Sequence, residues 1–72
     1  MNLAEANVGE YKIKEIGYDE KSKQRFLRQG ILPGKTIQLI TMRKKGPCVI
    51  KVGETKMIIG FEMINGIEVA DI

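Results

Sequence analysis

Apolar residues in this chain recur mostly at every second position, and one interval breaks that rhythm. From Glu10 to Ile16, Tyr11 and Ile13 alternate with Glu10, Lys12 and Lys14, the period of a half-buried strand. Alternation fails at Glu15-Ile16, which predicts a bulge or the strand's end before Gly17. The interval Asp19 to Gln29 is polar apart from Phe26 and Leu27 and reads as a helix. Asp19 is a good N-cap, Glu20 suits the first turn, and Arg25 and Arg28 suit the last. Phe26 and Leu27 are expected to bury one short patch, with Ser22 beneath it. So short a helix persists only when docked on a sheet.

The helix should stop at Gly30, a residue free to take the positive φ that closes a helix C-terminus. With Gly30 at C′, Ile31 falls at C″ and Phe26 at C3, the apolar pair of a Schellman motif. Pro33 cannot extend a helix, and Gly34 suits a turn whose third residue needs φ > 0.

Beyond this joint the chain reads as strands. Thr36 to Arg43 places Ile37 and Leu39 on one face, then Ile40 and Met42 on the other, so this strand is either covered on both sides or bent. Arg43-Lys44-Lys45-Gly46 is a basic hairpin loop, and Pro47 opens a strand with Cys48, Ile50 and Val52 inward. Gly53-Glu54 predicts a type II′ hairpin turn into Thr55–Gly60, with Met57 and Ile59 on one face. Phe61 to Asn65 is long enough for one helical turn. Ile67, Glu68 and Val69 form a last strand expected to pair with the first. At the other end, Leu3 to Asn7 reads as a helical turn capped by Asn2, with Glu5 in the capping-box position and Leu3 and Ala6 inward. These elements predict a mainly β domain spanning 1–72 with one short helix. The expected form is an SH3-like, closed, five-stranded small barrel with a helical insertion between strands 1 and 2.

Composition narrows the chemistry. The chain has 72 residues, 43% hydrophobic and 29% charged, with a net charge of +3. That is an ordinary globular balance, modestly basic for a nucleic-acid binder. No apolar run approaches the roughly 20 residues of a membrane helix, and the N-terminus lacks a signal-peptide pattern. With a lone cysteine as well, a cytoplasmic location is expected. There is no histidine, so the commonest general base and transition-metal ligand are both missing. Cys48, in register with Ile50 and Val52, is read as a small buried hydrophobe. Met42, Met57, Met63 and Cys48 are read as packing rather than as a soft metal site. Gly30-x-x-x-Gly34-Lys35-Thr36 has one residue too few for a phosphate-binding loop and runs from helix to strand, the reverse of that motif's order. Neither catalysis nor a cofactor is expected.

The segment Gly30-Ile31-Leu32-Pro33-Gly34, preceded by Gly9, Tyr11-Lys12-Ile13, Gly17 and Arg25-Phe26-Leu27-Arg28, resembles the FeoA family of bacterial ferrous-iron transport. Gly46-Pro47, Ile50-x-Val52, Met57-x-Ile59 and Ile67-x-Val69 continue the likeness over nearly the whole chain. Gln29 departs from the apolar residue many relatives carry there. Arg43-Lys44-Lys45 is more basic and slightly shorter than the family's usual loop. The resemblance implies an SH3-like barrel without catalysis or a required cofactor. It also implies association with the membrane permease FeoB, whose cytoplasmic part includes a GTP-binding domain. A weak, family-level capacity for transition metal ions goes with the iron-homeostasis role. The same module occurs at the C-terminus of DtxR-type repressors.

On this reading the partner surface is Arg25, Leu27, Arg28, Leu32 and Pro33, what remains once Phe26, Gly30 and Ile31 are assigned to the joint. An alternative is a nucleic-acid-binding or regulatory module using Arg43, Lys44 and Lys45. Scarce aromatics speak against base stacking. Whether Ile58 and Met63 pair with another copy or pack beneath the N-terminal turn is left open by the sequence.

Overall fold

Alternating segments become strands where their apolar side chains share one interior. The structure, a computed structural model, describes residues 1–17, 19–43 and 46–72. Among these, five strands form one antiparallel sheet: β1 Gly9–Ile16, β2 Thr36–Thr41, β3 Cys48–Val52, β4 Thr55–Ile59 and β5 Ile67–Asp71, in the order β4-β3-β2-β1-β5. Helix α1, Glu20–Arg28, lies between β1 and β2, and the short α2, Phe61–Ile64, lies between β4 and β5. The last strand pairs with the first as expected, Ile13 opposite Val69. The arrangement is SH3-like, but β4 and β5 do not pair, so the expected closed barrel is open on that side. Closure fails there because the connection from Gly60 to Gly66 is spent on α2, whose Ile64 is fully buried.

Both breaks in alternation are bulges. The register of β1 against β5 shifts between Ile13 and Glu15, which turns Ile16 back to the interior. The register of β2 against β3 shifts between Leu39 and Thr41, so β2 is bent rather than covered on both faces. Ile37, Leu39, Cys48, Ile50, Ile67 and Val69 are fully buried and make the core with Phe26, Ile31 and Leu3. Gly53 takes φ 63°, as a primed turn needs at its first central position.

Several details differ from the sequence reading. The N-terminal turn is a shorter 3₁₀ turn, Leu3–Glu5, with Asn2 Oδ1 accepting from the Ala4 amide at 2.8 Å. The helix patch expected from Phe26 and Leu27 is Phe26 alone, because Leu27 is 58% exposed. Ile58 is 71% exposed and does not pack under the N-terminal turn, whereas Met63 is half-buried against the core. Tyr18 and the hairpin residues Lys44 and Lys45 lie outside the described residues.

Candidate functional site

The joint between α1 and β2 decides which side chains face outward. The Ile31 amide donates to the Phe26 carbonyl at 2.8 Å and the Gly30 amide to the Leu27 carbonyl at 3.0 Å, the two bonds of a Schellman motif, with Gly30 at φ 81°. Phe26 and Ile31 meet beneath it, both essentially buried. The next turn is equally fixed. The Lys35 amide donates to the Leu32 carbonyl at 3.2 Å, with Pro33 second and Gly34 third at φ 93°, a type II arrangement. Ile13 of β1 clamps this turn from both sides: its carbonyl accepts from Gly34 and its amide donates to the Lys35 carbonyl, each at 2.8 Å. Leu32 is left half-buried and Pro33 exposed on a backbone held by these hydrogen bonds.

The five residues expected to form one surface are divided by the helix. Residues at 100° intervals put Lys23 and Leu27 on one flank of α1 and Arg25 on the other, with Arg28 outward. On the first flank, Leu27 joins Leu32, Pro33, Ile16 and Ile31 around an apolar groove of about 270 Å³, rimmed by Glu15 and Lys23. On the second, Arg25 and Arg28 face the exposed strand β4 across a groove of about 440 Å³ lined also by Phe26, Ile58, Ile59 and Met63. Of the five residues the sequence grouped, Leu27, Leu32 and Pro33 line one groove, and Arg25 and Arg28 line the other. The sequence reading missed Ile16 and Lys23 on the first groove and Ile58 beside the arginines. Helical spacing carried the signal for Lys23, and the break in alternation at Glu15-Ile16 carried the one for Ile16.

Charge is distributed unevenly. Lys21, Gln24, Arg25 and Arg28 form one outward stripe of α1. The one ion pair found among the described residues is elsewhere, between the Met1 ammonium and Glu68 Oε2 at 3.1 Å. At the opposite end of α1, Asp19 Oδ1 accepts from the Ser22 amide at 3.0 Å. That backbone bond, helped by the Ser22 side chain, holds the Asp19 carboxyl below its ordinary value of 3.8. The alternative basic patch is represented by Arg43, which is exposed and separate from both grooves.

Among the described residues no group of three or more His, Cys, Asp and Glu is placed to hold a metal ion. Cys48 is buried, with its Sγ 3.4 Å from Met42 Sδ and 3.5 Å from the Gly46 carbonyl. No described helix is long and apolar enough to cross a membrane. Among the described residues these two grooves flank α1, and no set of reactive groups converges.

The FeoA domain family model matches residues 1–71 of the chain. Among solved structures, an iron uptake regulatory protein (FeoA) is 27% identical, with a TM-score of 0.87 over 96% of this chain and 93% of that one. Iron(II) transport protein A from Clostridium thermocellum is 22% identical, with a TM-score of 0.88 over all of this chain and 46% of that one. A manganese-dependent transcriptional repressor is 15% identical, with a TM-score of 0.89 over all of this chain and 41% of that one. The chain thus spans nearly the whole of the first and less than half of the other two, whose likeness is one of fold. No curated protein sequence matches it.

Proposed function

The chain belongs to the FeoA family, which is associated with ferrous iron transport, and from that premise we propose that it is a cytoplasmic accessory protein that binds the cytoplasmic region of an FeoB-type permease. It acts by binding and not by catalysis. The observation that carries the reading is the apolar groove at the end of α1, where Leu27 is 58% exposed beside Leu32 and Pro33. A leucine in that position contributes nothing to the core, and the doubly clamped turn keeps its neighbours pre-organised. Binding a partner there loses little conformational entropy.

Titration of the chain with the permease's isolated cytoplasmic region, followed calorimetrically, tests the reading. Leu27→Glu and Leu32→Glu should each fold as the wild type does and weaken binding at least about tenfold, the effect of a central interface residue. Arg43→Ala, away from the groove, should leave affinity unchanged. Unchanged affinity in both groove variants would overturn the placement.

A further inference from the structure

The two edges of the sheet are treated differently. Beside β5 the chain's first residues act as a stub of a sixth strand. The Met1 ammonium donates to the Val69 carbonyl at 3.1 Å, the Val69 amide donates to the Met1 carbonyl at 2.7 Å, and Asn2 bridges to Glu68. Beside β4 no such cover is found among the described residues. The two-residue turn makes Val52 and Thr55 a hydrogen-bonded pair, and alternation then bonds Met57 to Ile50 and Ile59 to Cys48. Lys56 and Ile58 are therefore left with their N–H and C=O groups pointing away from β3, and neither amide has a partner among the described residues.

This open edge forms one wall of the groove whose other wall carries Arg25 and Arg28. Its floor is apolar, with Phe26, Ile59 and Met63, and no carboxylate is among its lining residues. On the outer face Lys56 stands directly opposite Lys51, in the non-hydrogen-bonded position where side chains lie closest. Like charges so placed are destabilising, and none of Lys51, Lys56, Arg25 and Arg28 forms an ion pair among the described residues. Pairing β4 with β4 of a second copy would gather four lysines on one face and set each copy's arginines against the other. Charge thus argues against a second copy and for a negatively charged occupant.

We propose that the β4 edge accepts an acidic polypeptide segment in extended conformation, which adds a strand through the free backbone groups of Lys56 and Ile58. Strand alternation seats one set of its side chains in the groove over Ile59 and Met63. The other set, carboxylates, is aimed at Lys51 and Lys56, with Arg25 and Arg28 at the rim to take a further acidic residue. This surface is distinct from the Leu27–Leu32–Pro33 groove and does not rest on it.

The test titrates the isotope-labelled full chain with a short, end-blocked peptide of alternating Glu and Val. Amide signals of Lys56 to Gly60 and Arg25 to Gln29 should shift. Exchange at the Lys56 and Ile58 amides should slow about tenfold once the peptide is in roughly tenfold excess over its Kd. A version N-methylated at alternate amides, and one with Lys in place of Glu, should do neither. Lys56→Pro should abolish binding while β3 keeps its wild-type exchange protection, because the Lys56 N–H donates to nothing in the fold. Four outcomes would each overturn the proposal: no binding, binding indifferent to N-methylation, shifts confined to the Leu27 groove, or a mixed oligonucleotide that produces the same shifts as the peptide.

Discussion

Phe26 and Leu27 are neighbours in sequence, yet one is sealed under the helix joint and the other stands 58% exposed. A rotation of 100° separates them, enough on a lone helix to divide core from surface. Asp19 shows the same economy at the other end of α1, where one oxygen fixes the helix start by accepting from the Ser22 amide. Because that bond favours the ionised carboxyl, its folded pKa lies below 3.8. The sign follows: the contribution is complete above the unfolded value and disappears as pH falls through the lowered folded one. Asp19→Asn retains a capping oxygen but cannot titrate. The stability difference between wild type and this variant should therefore be constant above about pH 5 and shrink below the ordinary carboxylate range. Urea denaturation of both proteins over that span checks it; a difference that grows on acidification would contradict the assigned role.

At the scale of elements, the joint from Phe26 to Gly34 makes a sharper prediction. A Cβ on Gly30 would meet nothing within 4 Å, so Gly30→Ala carries only the cost of holding an L-residue at φ 81°. That is about 1 kcal/mol, read as a lowered urea midpoint at unchanged slope, and Gly30→Asn should cost less because Asn tolerates this region better. A loss of several kcal/mol would mean the Schellman closure does more than the geometry implies. This joint was legible because each of its signals, capping glycine, apolar clamp and Pro-Gly turn, is local. The five strands were legible for the same reason, and the bulges left their mark as slips in alternation at Glu15-Ile16 and Ile40. The division of the candidate surface was less so. Leu27, Arg25 and Arg28 are close in sequence, and only the docking of Phe26 settles which flank faces the Leu32 turn and which faces β4.

At the scale of the whole molecule, the open side of the barrel was the feature the sequence concealed, because pairing between β4 and β5 depends on long-range register and not on any local pattern. The structure compensates with two plugs, Ile64 from α2 and Leu3 from the N-terminal turn, both fully buried. Leu3 also anchors the stub that covers β5, since the Met1 carbonyl and Asn2 reach β5 only while the turn stays docked. Asn2 Nδ2 adds a bond to the Asn65 carbonyl just after α2, which ties the two plugs together. Leu3→Ala should therefore cost about 2–5 kcal/mol, the usual range for emptying a core leucine site, a large part of the stability of a chain this short. Its distinguishing mark is where the loosening appears. Native-state hydrogen exchange should speed up first at Val69, whose amide is held by the Met1 carbonyl, while Met57 and Ile59 in β4 keep exchange rates set by global unfolding alone. Uniform acceleration across the sheet would show that the N-terminal turn is part of one cooperative core and not a separable cover for its β5 edge.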